Sequence, residues 1–106
     1  MKVYYLAGPY SHWFPPVRAW RIFHAWWWAA KLWNRGFTVI CPHLNTAFFE
    51  YATHLTWGDY LERDLEIIRR CDGLILMRGW EKSRGARREK GFAEMIGIPI
   101  FYANLL

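Results

Sequence analysis

Features that would settle a function class at once are scarce in this chain. Only two of its 106 residues are cysteine, Cys41 and Cys71, so no disulfide framework is implied. A reduced, cytoplasmic setting is the simpler expectation. Cys41-Pro42-His43 has no second ligand pair at metal-binding spacing, and neither a metal nor a cofactor is expected. Long apolar runs are missing as well. The nearest, Trp13 to Trp33, is interrupted by Arg18, Arg21, His24 and Lys31 and broken near its start by Pro15 and Pro16, so no membrane span is expected. Met1-Lys2-Val3-Tyr4 leads into a strand-like segment and shows no secretory pattern. Repeats and linkers are absent, and 106 residues fit one domain, 1–106. Acidic residues are the scarcer charge. Nine Asp+Glu against fourteen Lys+Arg leave a formal +5, which favours an anionic partner.

What is abundant is aromatic. The chain is 54% hydrophobic and carries eight tryptophans, too many large rings for so small a core to hide. Some are expected at a subunit interface or a ligand cleft. Trp26-Trp27-Trp28 puts rings around most of one helix, where only one can face a sheet. A helix-to-helix homodimer would cover the others, and isolated exposed aromatics are the plain alternative.

Glycine punctuates an alternation of strands and helices. Lys2 to Ala7 reads as a buried strand ended by Gly8-Pro9. A helix from about Pro16 to about Arg35 is stopped by Gly36, and Phe37 to Cys41 forms a second strand. The segment from Pro42 to Thr56 reads as a long, functional loop. Thr56-Trp57-Gly58-Asp59 resembles a capping box and opens a helix to about Arg70, which Gly73 would stop. Leu74 to Met77, a helix from Arg84 to Ile96, and Pro99 to Tyr102 complete the series. The pattern predicts an α/β fold: a doubly wound, flavodoxin- or Rossmann-like parallel sheet of about four strands flanked by helices. Ligands of such sheets lie beyond the C-terminal ends of the strands, here Gly8 to Ser11, Pro42 to Thr46 and Arg78 to Gly85.

Two acids sit on faces that should be apolar. Asp64 shares its helix face with Leu61, Leu65 and Ile68, and Glu89 lies between Ala86, Ala93 and Ile96. An acid directed at a core is costly unless it is paired or lines a cleft. For either alone, a buried ion pair or loop cap is as good an account as a site; both at one sheet edge favour a site. Two carboxylates in one pocket suit acetal chemistry, one attacking an anomeric carbon and the other handling a proton. Glu89, near the start of its helix where the dipole favours an ionised carboxylate, is the better nucleophile.

Tyr5-Leu6-Ala7-Gly8-Pro9, then Asp64 within Arg63 to Ile67, then Ser83-Arg84-Gly85-Ala86-Arg87-Arg88-Glu89 follow in order. Together they resemble the nucleoside 2-deoxyribosyltransferase family, with its related nucleoside 5′-monophosphate N-glycosidases and small phage-type members, over nearly the whole chain. The resemblance implies that Glu89 attacks C1′ of the sugar and expels the base. It implies that Asp64 touches a sugar hydroxyl or assists the base, and that Tyr5 orients the glutamate, with Tyr4 the alternative if the alignment slips by one. Ser83 stands where aspartate marks enzymes of free nucleosides and serine marks those of 5′-monophosphates, in keeping with the positive charge. Ser11, Gly8 and the amides near Gly85 would complete a phosphate cradle. Pro9 and Asn45 join the substrate-binding set. The family's habit of borrowing a residue from a neighbouring subunit leaves only Asn104 as a polar candidate here.

Remaining features are weighed against plainer roles. His43 could contact base or phosphate, or merely bond backbone. Trp80 could stack on a base or simply pack its loop. The run Arg84, Arg87, Arg88, Lys90 is more simply a solvated face than a nucleic-acid contact. The sequence therefore points to N-glycosidic cleavage of a nucleoside or nucleoside 5′-monophosphate, with hydrolysis favoured. Base exchange and a non-catalytic nucleotide-binding module are the alternatives.

Overall fold

The computed structural model describes residues 1–10 and 14–106. Four short strands, β1 (Val3–Ala7), β2 (Thr38–Ile40), β3 (Gly73–Leu76) and β4 (Ile100–Tyr102), form one sheet in the order β2-β1-β3-β4. Every pairing is parallel, with Tyr5 beside Ile40 on one side and Leu74 on the other. The fold is thus the expected doubly wound α/β arrangement, and the strand order reverses between β1 and β3.

Helices cover both faces. α1 (Pro15–Asn34) lays Ala25, Trp28, Ala29 and Leu32 on one face, against Leu6, Val39, Ile75 and Met77. α3 (Trp57–Arg69) and α4 (Arg84–Ile96) cover the other, where Ile68 and Ala93 meet Tyr5, Ala7, Leu74 and Leu76. Successive side chains of β1 point to opposite faces, so Leu6 belongs to the α1 layer while Tyr5 and Ala7 belong to the α3/α4 layer. This alternation aims Tyr5 at the site. Tyr4, one residue earlier, points the other way and packs edge-on against Phe37 and Phe101.

The ends of α3 and α4 follow their local chemistry. In the capping box of α3, the Asp59 amide donates to Thr56 Oγ1 at 3.2 Å and the Thr56 amide to Asp59 Oδ2 at 2.9 Å. Ser83 caps α4, its Oγ accepting from the Ala86 amide at 3.1 Å. Gly97, at φ 81°, ends α4 in the left-handed conformation that glycine tolerates.

Two expectations change. The segment 42–56 contains a short helix, α2 (Pro42–Asn45), and a 3₁₀ turn at Phe49–Tyr51. Elements of three or four residues leave no periodic signature. Gly73 does not stop α3, which ends at Arg69 with Arg70 as its cap; it opens β3 instead. Its lack of a side chain serves packing, because a Cβ there would lie 2.9 Å from Tyr4 Cδ1 and 3.2 Å from the Pro99 carbonyl. Gly73→Ala is expected to cost about 1–3 kcal/mol, the usual range for overpacking. It should lower the urea midpoint with an unchanged m-value.

Among the described residues no helix is long and apolar enough to cross a membrane.

Candidate active site

A cleft of about 660 Å³ opens beyond the C-terminal ends of β1 and β3. Its walls come from the segment after β1 (Gly8, Tyr10), from α1 (Arg18, Arg21), from α2 (Pro42, His43), from α3 (Asp64) and from the start of α4 (Ser83 to Ala86, with Glu89). The two acids placed on apolar faces by their spacing therefore meet in one cavity.

Glu89 is the most constrained of these groups. Only 5% of it is exposed, and its Oε2 accepts a short hydrogen bond from the phenol of Tyr5, itself wholly buried. Burial pushes the Glu89 carboxyl up to about 8; the Asp64 charge adds to this, and the Tyr5 hydrogen bond opposes it. Burial likewise pushes Asp64 up to about 6. Tyr5 is driven far above its ordinary value, first by burial and then by Glu89, so it stays a donor. The pair holds both protons below about pH 6, one between about 6 and 8, and none above. The expected dipole-stabilised carboxylate is corrected here. Glu89 lies in the second turn of α4, beyond the first turn where the dipole acts, and desolvation dominates.

The cleft offers one acid pair, one cationic side and one apolar side. Arg18, Arg21, Lys82 and Arg84 supply the cations, and Leu55, Trp57, Tyr60 and Leu61 the apolar wall. Arg84 reaches across the start of α3, its guanidinium carbon 4.5 Å from the centre of the Trp57 ring. Glu50 of the 3₁₀ turn accepts from the Tyr10 phenol at 2.8 Å and stands 3.7 Å from Arg18 Nε. This pins the 42–56 segment across the mouth. At the start of α4 the Ser83 cap takes the Ala86 amide. The amides of Arg84 and Gly85 precede any intrahelical acceptor and suit an anion.

Of the residues singled out in the sequence, Gly8, His43, Asp64, Ser83, Gly85 and Glu89 line the cleft, with Tyr5 directly behind Glu89. His43 is buried, and burial lowers its imidazole to about 4 against the partial opposition of the Pro9 and Gly8 carbonyls. The ring is therefore neutral, and its Nε2 has no partner in hydrogen-bonding geometry among the described residues. Three candidates are not brought to the cleft. Pro9 contributes no lining atom, Asn45 is exposed on α2, and Trp80 packs on Tyr102 with ring centres 6.2 Å apart. Trp80 and Asn104 line a separate, smaller pocket of about 380 Å³ beside β4. Ser11 lies outside the described residues.

Sequence reasoning missed Arg18, Arg21, Trp57 and Tyr60. The arginines, three apart on α1, counted only as interruptions of an apolar run. The two rings, three apart in the first turn of α3, carried a usable signal, a pair on one face next to a long loop. Among the described residues no three His, Cys, Asp or Glu side chains converge as metal ligands.

A family model described as a domain of unknown function (DUF4406) matches residues 1–102. No curated protein matches the sequence.

Proposed function

The chain belongs to the DUF4406 family, and we propose that it hydrolyses the N-glycosidic bond of a nucleoside or nucleoside 5′-monophosphate. The observation that carries this reading is the buried Glu89 carboxyl, held by the Tyr5 phenol beside Asp64 on the floor of a cationic cleft. Between about pH 6 and 8 the pair's one proton rests mostly on Glu89, the weaker acid. The reacting form is the minor one in which that proton sits on Asp64, and there Glu89 Oε attacks C1′ as a carboxylate. The C1′–N bond breaks, and its electrons leave with the base, which takes the proton from Asp64. Asp64, now ionised, draws a proton from water as the water oxygen displaces Glu89 from C1′, restoring both acids. A second base in place of water gives base exchange through the same intermediate.

The rest of the cleft supports this assignment. The α4 amides, Ser83 and the four cations suit a 5′-phosphate, while Trp57 and Tyr60 offer faces on which a base can stack. A cytoplasmic setting suits the two free thiols of Cys41 and Cys71. The test is a chromatographic screen of nucleosides and their monophosphates, with and without an acceptor base. Free base released preferentially from monophosphates is expected. Tight nucleotide binding with no release would make the protein a binding module and overturn the enzyme reading.

Tyr5 acts through Glu89, so it is a positioning residue. Tyr5→Phe removes a charge-assisted hydrogen bond of about 1.5–3 kcal/mol, enough to slow base release roughly 10- to 100-fold. That bond holds the Glu89 pKa down, so the alkaline limb of the pH profile should move above 8 in the variant. An unchanged limb would remove Tyr5 from this role.

A further inference from the structure

α1 is apolar on both sides. Opposite its core face, Pro16, Ala19, Phe23, Trp26, Ala30 and Trp33 recur at alternating spacings of three and four, with Trp20 and Trp27 alongside and no charged residue among them. That is the spacing of a helix-pairing seam. The rings are open to solvent: Trp20 is 63% exposed, Phe23 and Trp26 53%, and Trp27 45%. They are also ordered into a ladder, with Trp20 stacked on Phe23 at 5.8 Å and Phe23 on Trp26 at 5.6 Å.

We propose that this face binds the same face of a second copy of the chain, in a two-fold antiparallel α1–α1 contact centred between Phe23 and Trp26. The seam reads the same in both directions. Reversal about that centre places Pro16 opposite Trp33, Ala19 opposite Ala30 and Phe23 opposite Trp26, as an isologous interface requires. Paired alanines let the helix axes approach, and Trp20 and Trp27 fill the flanks. At ~200 Å² for an aromatic side chain, the open fractions of the four exposed rings leave about 400 Å² per chain. That is half of the ~800 Å² per partner in a standard interface, before Trp33 and the alanines are counted.

An anionic lipid surface fits less well, because it calls for cations ringing the aromatic face. Lys31 instead sits 4.8 Å over the Trp27 ring and 5.1 Å over that of Trp28, and Arg18 and Arg21 line the cleft on the helix's other side. Pairing would also brace the helix that carries those two arginines. The contact is independent of the reaction proposed above.

Sedimentation equilibrium of the full chain tests it. Wild type is expected to be a dimer. Phe23→Glu and Trp26→Lys, each alone, are expected to be monomers with association weakened at least about 100-fold, since each sets an unpaired charge against apolar surface. An equimolar mixture of the two should recover the dimer, because antiparallel pairing sets the new acid opposite the new amine. Both positions are exposed, so far-ultraviolet circular dichroism should match wild type; Trp20→Glu supplies the same readout if either variant fails to fold. A monomeric wild type, or single variants that stay dimeric, overturns the contact. A mixture that remains monomeric overturns the antiparallel register. A monomer that sediments with phosphatidylglycerol vesicles puts a lipid surface in place of the second copy.

Discussion

Glu89→Gln is expected to release no base above background and yet to unfold at a higher temperature than wild type in alkaline buffer. Both effects come from one carboxyl. The amide cannot form an ester with C1′, so the covalent route closes while the cleft keeps its shape. The stability gain follows from the sign of the pKa shift. Folding raises the Glu89 carboxyl from 4.5 to about 8, so the folded state holds its proton more tightly than the unfolded chain does. Wild-type stability therefore falls as pH rises from about 4.5 to about 8 and levels off above that window. Each unit corresponds to about 1.4 kcal/mol. That rise in pKa, in which the Tyr5 bond is already counted, corresponds to a net gain of about 5 kcal/mol for the variant at pH 9. At pH 4 the two proteins should melt together. Thermal melts across that range check the stability claim, and chromatography of released base checks the chemical one.

Asp64→Asn should slow base release by about 10²–10⁴-fold, the usual worth of a positioned proton donor. A nucleoside whose purine is already methylated and cationic at N7 needs no proton to leave. On that substrate the deficit should shrink to a few-fold, a result that a merely structural role for Asp64 would not give. The pH profile should change shape as well. Wild type is expected to show a bell with limbs near 6 and 8, because the reaction needs one proton on the pair. Without Asp64 the activity should rise once with pH, following ionisation of Glu89. Its midpoint should lie below 8, since the Asp64 charge is one of the causes that raise Glu89.

Much of the scaffold was legible because its signals are local. The Thr56–Asp59 capping box, the start of α4 after Ser83 and its end at Gly97 can each be read from a few consecutive residues, and the structure places them there. The acid pair was legible for a different reason, since a carboxylate in an apolar stripe contradicts the helix around it. What escaped depends on approach between distant segments. Gly73 looks like a helix stop until Tyr4 is found packed against it. Trp80 reads equally as a stacking surface or as loop packing until β4 places Tyr102 beside it. Arg18 and Arg21 look like breaks in a Trp-rich run until the sheet order turns them toward the cleft. The charge state of Glu89 was misjudged because helix position is visible in sequence, whereas burial to 5% exposure comes from three layers closing together.

The scarcity of acid in this chain thus has a counterpart in the fold. Of its nine acidic residues, three line one cavity, Glu50 at its mouth and the pair Asp64 and Glu89 within, with four cations around them. The most direct measurement is the anomeric configuration of the methyl glycoside formed when the protein cleaves a nucleoside monophosphate in aqueous methanol. Attack by Glu89 followed by methanol inverts C1′ twice, so the β configuration of the substrate should be retained. An α-methyl glycoside would mean that solvent attacks directly, and would contradict a glycosyl–Glu89 intermediate.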